Sequence, residues 1–284
     1  MSVTAKLIIY PGGKHYLVNW LVPMFPQHDW YVKVFGGSAS FLFKKDKSKV
    51  EVYNDINDDM YTFFKVLRDK SDELVKRVKF LPSSRSLFDE YVDKMKNKSW
   101  LDDVDRAIAV MYLSRFAFGG KWQSVSPFFG NTRVIHTRRE FSWSTVRANV
   151  EFFAKRFDKV CIEHRDYKEM IEKYDMKDVF FYLDPPYYDI GSNYYKNDFS
   201  TKDHEDLANL LRSIKGKFMI SYTSSDYIRK LYDGFFIQEK DFSNFITLAE
   251  QGEERIDRKE IVITNYDPEK DKWDSSKSKQ VKVI

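Results

Sequence analysis

Val179-Phe180-Phe181-Tyr182-Leu183-Asp184-Pro185-Pro186-Tyr187 is the stretch on which the fold turns. Its first five residues form a continuous apolar run, the pattern of a strand buried on both faces in a parallel sheet. A carboxylate, two prolines and an aromatic then follow at the carboxyl end, where open α/β sheets place their sites. The prolines restrict φ and carry no N–H, so their carbonyls accept hydrogen bonds without local donors competing. Such a ledge suits an exocyclic amino group: Asp184 and the Pro185 carbonyl each accept one hydrogen while Tyr187 stacks on the ring. The plainer alternative is a strand-to-loop exit with an Asx turn.

Outward from this strand, both flanks alternate strand and helix. Upstream, Tyr31–Phe35 reads as a strand ended by Gly36-Gly37, with helical turns over Ser38–Phe43. Glu51–Asn54 is a second strand, and apolar residues at Ile56, Met60, Phe63, Phe64 and Leu67 predict a helix from Ile56 to Leu67. This order opens a parallel α/β sheet. Nearer the central stretch, Lys159–Glu163 reads as a strand and Tyr167–Tyr174 as a helix. Downstream lie a helix over His204–Ile214 and strands over Lys217–Tyr222, Phe235–Glu239 and Glu260–Asn265. The tail after Asp267 is rich in Lys, Asp and Ser and is expected to fray.

The middle of the chain is different. Asp69–Arg115 reads as helices broken at Pro82 and at Asn97-Lys98-Ser99, Gly119–Trp143 as a surface loop region, and Val146–Phe157 as a helix. The expected organisation is a catalytic α/β domain over 1–68 and 157–284, interrupted by a helical and loop insertion over 69–156.

Composition removes several classes. The 284 residues are 43% apolar and 32% charged, which is globular rather than disordered. Cys161 alone cannot build a disulfide framework or a Cys-based zinc cluster. His15, His28, His136, His164 and His204 show no ligand spacing, so no metal is expected. The uncharged run Leu7–Gly13 is too short to span a bilayer, and the start shows no signal-peptide pattern. The expected setting is cytoplasmic, or the host cytoplasm for a viral source, with no membrane partner.

The net charge of +4 averages two unlike parts. Between Tyr112 and Arg156 stand eight basic residues (Arg115, Lys121, Arg133, Arg138, Arg139, Arg147, Lys155, Arg156) and two acidic ones (Glu140, Glu151), a local +6 against −2 elsewhere. Interleaved with Trp122, Phe128, Phe129 and Trp143, these bases suit phosphates and base edges of DNA. A solvated charged face is the bland reading.

Three further segments carry ligand chemistry. Phe35–Ser40 is a strand followed by small residues that open a helix, which lets a ligand approach the backbone closely. Asp55 lies 20 residues beyond Phe35, the separation at which a carboxylate accepts from a ribose hydroxyl. It is equally placed as a helix N-cap before Ile56. Gly12-Gly13-Lys14 lacks phosphate-loop spacing.

Taken together, the chain resembles the Dam-type (class alpha, D12) DNA adenine-N6 methyltransferases over nearly its whole length. The family's aromatic followed by Gly-Gly-Lys appears as Tyr10-Pro11-Gly12-Gly13-Lys14. Its glycine turn appears as Phe35-Gly36-Gly37-Ser38-Ala39-Ser40, and its acidic turn as Asn54-Asp55-Ile56-Asn57. The acidic segment before the catalytic strand is similar to Glu163-His164-Arg165-Asp166-Tyr167. Leu113–Trp122 resembles the link to the recognition region, with Ser114 where family members often carry Asn.

The resemblance implies a Rossmann-like S-adenosylmethionine-dependent methyltransferase sheet with an inserted target-recognition domain. It implies S-adenosyl-L-methionine as cofactor and S-adenosyl-L-homocysteine as product, held by Tyr10, Gly13, Lys14, Phe35, Gly37, Ser38, Asp55, Asn57, Asp166 and Asp184. Lys14 would meet the methionine carboxylate and Tyr10 the sulfonium by cation–π attraction. Asp166 is placed near the cofactor adenine or as the cap of the helix at Tyr167.

The implied catalytic residues are Asp184, Pro185, Pro186 and Tyr187, acting on an adenine flipped out of double-stranded DNA. Arg115, Lys121, Trp122, Arg133, Arg138, Arg139 and Tyr188 are the expected DNA contacts. Cytosine-N4 methylation, adenine in RNA or a glutamine amide, and a catalytically inactive DNA-binding relative are the rivals. A cognate restriction endonuclease and a monomer or weak dimer complete the expected partners.

Overall fold

The structure, a computed structural model, describes residues 7–10, 13–117, 133–188, 199–243 and 257–274, with the side chains of 133–143, 243, 257 and 258 outside the description. In chain order the elements are α1 (Val18–Leu21), β1 (Trp30–Lys33), α2 (Ser40–Lys44), β2 (Val50–Asn54), α3 (Asp58–Asp69), α4 (Ser71–Val78), α5 (Arg85–Asn97), α6 (Asp103–Phe116) and α7 (Arg133–Phe157). They continue as β3 (Cys161–Glu163), α8 (Tyr167–Tyr174), β4 (Val179–Leu183), α9 (Thr201–Leu211), β5 (Lys217–Thr223), α10 (Asp226–Leu231), β6 (Phe236–Ser243) and β7 (Asp257–Thr264). Two compact units result: Met1–Asn19 with Gly36–Asp166, and Trp20–Phe35 with Tyr167–Ile284.

In the first unit β2 and β3 pair in parallel, Val52 opposite Cys161 and Asn54 opposite Glu163. Helix α3 packs on α6, and Arg106 on α6 donates to Asp59 on α3 at 2.7 Å. Helix α6 is buried all round from Val104 to Phe116 except at Arg106, which marks it as the centre of a helical layer rather than a surface helix. In the same unit, Lys45, Glu51 and Arg156 form a buried ion cluster: Lys45 Nζ lies 2.6 Å from Glu51 Oε1, and Arg156 grips the same carboxylate in bidentate fashion at 2.6 and 2.9 Å. Burial lowers the Lys45 pKa to about 8 despite its ion pair. Burial pushes the Glu51 carboxyl up, but the two cations outweigh it and hold the group below its usual range.

In the second unit the strands run β1-β4-β5-β7-β6. Strands β1, β4 and β5 are parallel, with Val32 opposite Phe181 and Leu183 opposite Ile220. Strand β7 then pairs antiparallel with both β5 and β6. All five residues of β4 are buried, as their apolar run requires.

Several boundaries differ from those the periodicity predicts. Helix α3 starts at Asp58, not Ile56: Asn57 is its N-cap, accepting from the Asp59 and Met60 N–H groups, and Ile56 stands 51% exposed in the turn before it. Residues 133–143 are helical and continuous with the segment to Phe157. Their mixture of Arg, Ser and aromatic residues lacks a clear apolar stripe, which is why it reads as loop. Gly119–Thr132 lies outside the described residues. Helix α10 carries no sequence expectation, yet the Ser225 hydroxyl caps it through the Ile228 N–H. The segment Asp267–Asp274 is tied down rather than frayed, through an ion pair of Lys217 with Asp271 and the Trp273 N–H donating to the Phe25 carbonyl at 2.7 Å.

Candidate active site

The glycine turn of the first unit is shaped by Tyr53. A Cβ at Gly36 would stand 2.3 Å from Tyr53 Cζ and 2.6 Å from the Asn54 carbonyl oxygen, so only glycine fits against that ring. Gly37 sits at φ +51°, the left-handed region that favours glycine. The Tyr53 hydroxyl lies 2.9 Å from the Gly37 carbonyl oxygen and 3.4 Å from Asp55 Oδ2. Burial and the neighbouring Asp55 carboxylate keep that phenol protonated far above neutrality.

Asp55 is itself held by main-chain donors. Its Oδ2 accepts the Gly37 N–H at 2.7 Å and its Oδ1 the Asn57 N–H at 2.9 Å. Asp55 therefore fastens the glycine turn to the helix entry, while the capping expected of it belongs to Asn57. The segment of Tyr10 and Gly13 lies against the same turn: the Gly37 Cβ position is 3.8 Å from the Tyr10 ring, and that of Gly13 is 3.7 Å from Ser38 Oγ. Ser38 Oγ is in turn 2.7 Å from Ser40 Oγ, and Lys14 is buried. Asn54 exchanges two hydrogen bonds with the Arg165 backbone, 3.0 and 2.9 Å, which fixes the approach to an exposed Asp166.

An aromatic face, a buried ammonium, a carboxylate and an open glycine backbone within one unit match what S-adenosyl-L-methionine presents: a sulfonium, a carboxylate, a ribose and a ring. The residues present fit the cofactor. Among the described residues no group of three or more His, Cys, Asp and Glu could hold a metal ion. No described helix is long and apolar enough to cross a membrane.

The second unit carries the ledge. Asp184 leaves β4 half-buried, and its Oδ1 accepts from the Ser221 hydroxyl on β5 at 3.3 Å. Ser221 Oγ is also 3.3 Å from the Tyr182 hydroxyl, whose proton is retained by burial and by the Asp184 charge. Pro185 is buried, and Pro186 and Tyr187 are half-buried. Tyr187 donates to Glu260 Oε2 on β7 at 3.4 Å, and Glu260 is fully buried. Lys33 on β1 places its ammonium 4.7 Å from the centre of the Tyr182 ring. Ser221, Glu260, Lys33 and Tyr182 escaped the sequence reading; for Ser221, Lys33 and Tyr182 the signal was a polar atom at a strand position flanked by apolar residues, whereas Glu260 follows Arg258-Lys259 and carries no such signal.

A family profile of the D12 class N6 adenine-specific DNA methyltransferases matches residues 10–244. The chain belongs to this family. It is 26% identical over 286 aligned positions to the type II methyltransferase M.MjaIII of Methanocaldococcus jannaschii, covering 90% of this chain and 97% of that one. It is 24% identical to the type II methyltransferase M.CviBI of Paramecium bursaria Chlorella virus NC1A, over 81% and 87% of the two chains. It is 23% identical to the DNA adenine methylase of Vibrio cholerae, over 94% and 98%. The D12 assignment makes this chain an adenine-specific DNA methyltransferase that uses S-adenosyl-L-methionine, with DNA as substrate.

The remaining expected residues of this methyltransferase are placed as follows. Phe35 joins an aromatic cluster of the second unit, stacked on Tyr167 at 5.9 Å and edge-on to Phe199 at 5.7 Å. Arg115 is buried in the last turn of α6. Arg147 donates to the Leu81 carbonyl at 3.0 Å, and Arg156 holds Glu51, so both bases of the +6 stretch are structural. Arg133, Arg138 and Arg139 lie on the α7 backbone, while Lys121 and Trp122 fall outside the described residues.

Proposed function

We propose that this D12 methyltransferase flips its target adenine out of the duplex and holds N6 on the Asp184–Pro185 ledge. The observation that supports this most directly is the Ser221 hydrogen bond, which aims the Asp184 carboxylate from a fully buried strand position. Asp184 and the Pro185 carbonyl accept the two N6 hydrogens, which turns the amine lone pair out of conjugation with the ring. Tyr187 stacks on the base with its plane set by Glu260. Placement then matters more than a strong base. S-adenosyl-L-methionine, when bound, supplies a methyl group already activated on a sulfonium. Tyr10, Gly13, Lys14, Gly37, Ser38 and Asp55 would hold it, with Asp166 and Asn57 bordering the adenosine side and Phe35 the turn.

The DNA-contact set we propose is Arg115, Lys121, Trp122, Arg133, Arg138, Arg139 and Tyr188, within or beside an inserted target-recognition region over 69–156. A cytoplasmic monomer or weak dimer, with a cognate restriction endonuclease as partner, completes the reading. Asp184→Ala tests it. Transfer of labelled methyl groups to unmethylated DNA should fall about 1000-fold or more, because the carboxylate acts on the reacting nitrogen. Thermal unfolding should stay unchanged. Full turnover in this variant would remove Asp184 from the mechanism.

A further inference from the structure

Tyr188 directly follows the Asp184–Tyr187 ledge and is 37% exposed, although it is a large aromatic residue. It does not stand alone. Tyr227 on α10 lies parallel to it, ring centres 4.1 Å apart at an interplanar angle of 17°. The Tyr227 hydroxyl is tethered to Glu205 Oε1 on α9 at 3.3 Å, and the Tyr188 ring meets the His204 ring edge-on at 5.6 Å. His204 is fully buried and its Nδ1 lies 3.0 Å from the Tyr222 hydroxyl, so this backing is rigid. Two stacked phenol rings, braced from behind and half open to solvent, form a flat apolar surface beside a ledge built for an amine.

We propose that Tyr188 and Tyr227 together form a stacking platform for the unstacked target base, with Tyr227 as the positioning residue that fixes the Tyr188 plane. The occupant follows from continuity: Tyr188 is one residue from Tyr187, and consecutive Cα atoms are about 3.8 Å apart, within the reach of one purine. Stacking on an aromatic face accepts any base and contributes most when the rings are held in advance. This assignment rests on base flipping, and its test separates the two.

The experiment uses the full chain and a duplex that it methylates, with the target adenine replaced by 2-aminopurine, whose emission rises on unstacking. Wild-type protein should raise the emission. Tyr227→Ala should raise the emission above the wild-type level at saturating protein, because a flipped base that no longer stacks on the phenols is quenched less, and should increase the KM for DNA about tenfold or more, with cofactor affinity unchanged. Tyr227→Phe keeps the ring and should restore wild-type values. Tyr227→Ala added to Tyr188→Ala should cost no more than Tyr188→Ala alone. An emission with Tyr227→Ala no higher than with wild type, a Phe variant as poor as Ala, or fully additive losses overturns the platform. No rise with wild-type protein overturns base flipping and the platform with it.

Discussion

The turn at Asp55 and the strand end at Asp184 each present a carboxylate, and they hold it by different means. Asp55 accepts main-chain N–H groups from Gly37 and Asn57, so its geometry follows from the path of the backbone. Asp184 accepts a side-chain hydroxyl from Ser221 on the neighbouring strand. Backbone-held groups are altered by whatever moves the chain, whereas side-chain-held groups can be released with the fold intact. The first site should therefore fail through stability, and the second through turnover.

The sharpest way to break that contrast is Gly36→Ala. The new methyl group would meet Tyr53 Cζ at 2.3 Å and the Asn54 carbonyl oxygen at 2.6 Å, and the second neighbour is backbone. Tyr53 has little freedom to yield, because the ring is fully buried and its hydroxyl is bound at the Gly37 carbonyl. Overpacking of a tight core costs about 1–3 kcal/mol, and more where main chain must shift. A loss of about 3 kcal/mol in urea unfolding is expected, with cofactor affinity falling alongside. Unchanged stability would mean that the turn is not set by close approach.

The same contrast explains what the sequence disclosed. The glycine turn, the Asp55 turn and the Tyr10–Lys14 segment are each contiguous, and backbone constraints write themselves into neighbouring residues. Ser221 and Glu260 lie 37 and 73 residues from the partners they position, a proximity created by strand order alone. Strand β4 was plain because burial on both faces leaves an unbroken apolar run. Helix α3 was displaced by two residues because Ile56 has an apolar side chain but stands in the turn, where Asn57 supplies the cap. The local charge of +6 overstates the free basic surface: Arg147 holds the Leu81 carbonyl and Arg156 holds Glu51.

The second unit buries a histidine, which ties its stability to pH. Burial lowers the His204 pKa to about 4 from an ordinary 6.5, opposed weakly by Asp203. Between those values the unfolded chain binds the extra proton and the folded one does not, so stability falls as pH drops from 6.5 to 4. At 1.36 kcal/mol for each unit, up to about 3 kcal/mol is lost across that window and is fully present above it. Urea midpoints for wild type and His204→Asn, measured at both ends of the window, isolate the contribution. Equal acid sensitivity in the two proteins would mean that His204 is protonated where it sits.

The smallest expected effect is the most discriminating. Ser221→Ala deletes one oxygen from a fully buried position and leaves β5 and its pairing to β4 and β7 untouched. The Tyr182 hydroxyl loses a neighbour at 3.3 Å, and Asp184 loses the donor that aims it. A hydrogen bond to a charged group contributes about 1.5–3 kcal/mol when both partners are well placed, and the 3.3 Å separation puts this one at or below the lower end. About 1.4 kcal/mol in the transition state is a tenfold loss of kcat. If Ser221 acts by aiming Asp184, kcat should fall about tenfold while the KM for DNA and the cofactor affinity hold, since neither substrate is bound through it. A rise in KM with kcat unchanged would make Ser221 a contributor to binding, and a large drop in melting temperature would make it a packing residue. Either result would erase the distinction between the backbone-held and side-chain-held carboxylates. The expected one would show that this strand end can lose its chemistry while keeping its shape.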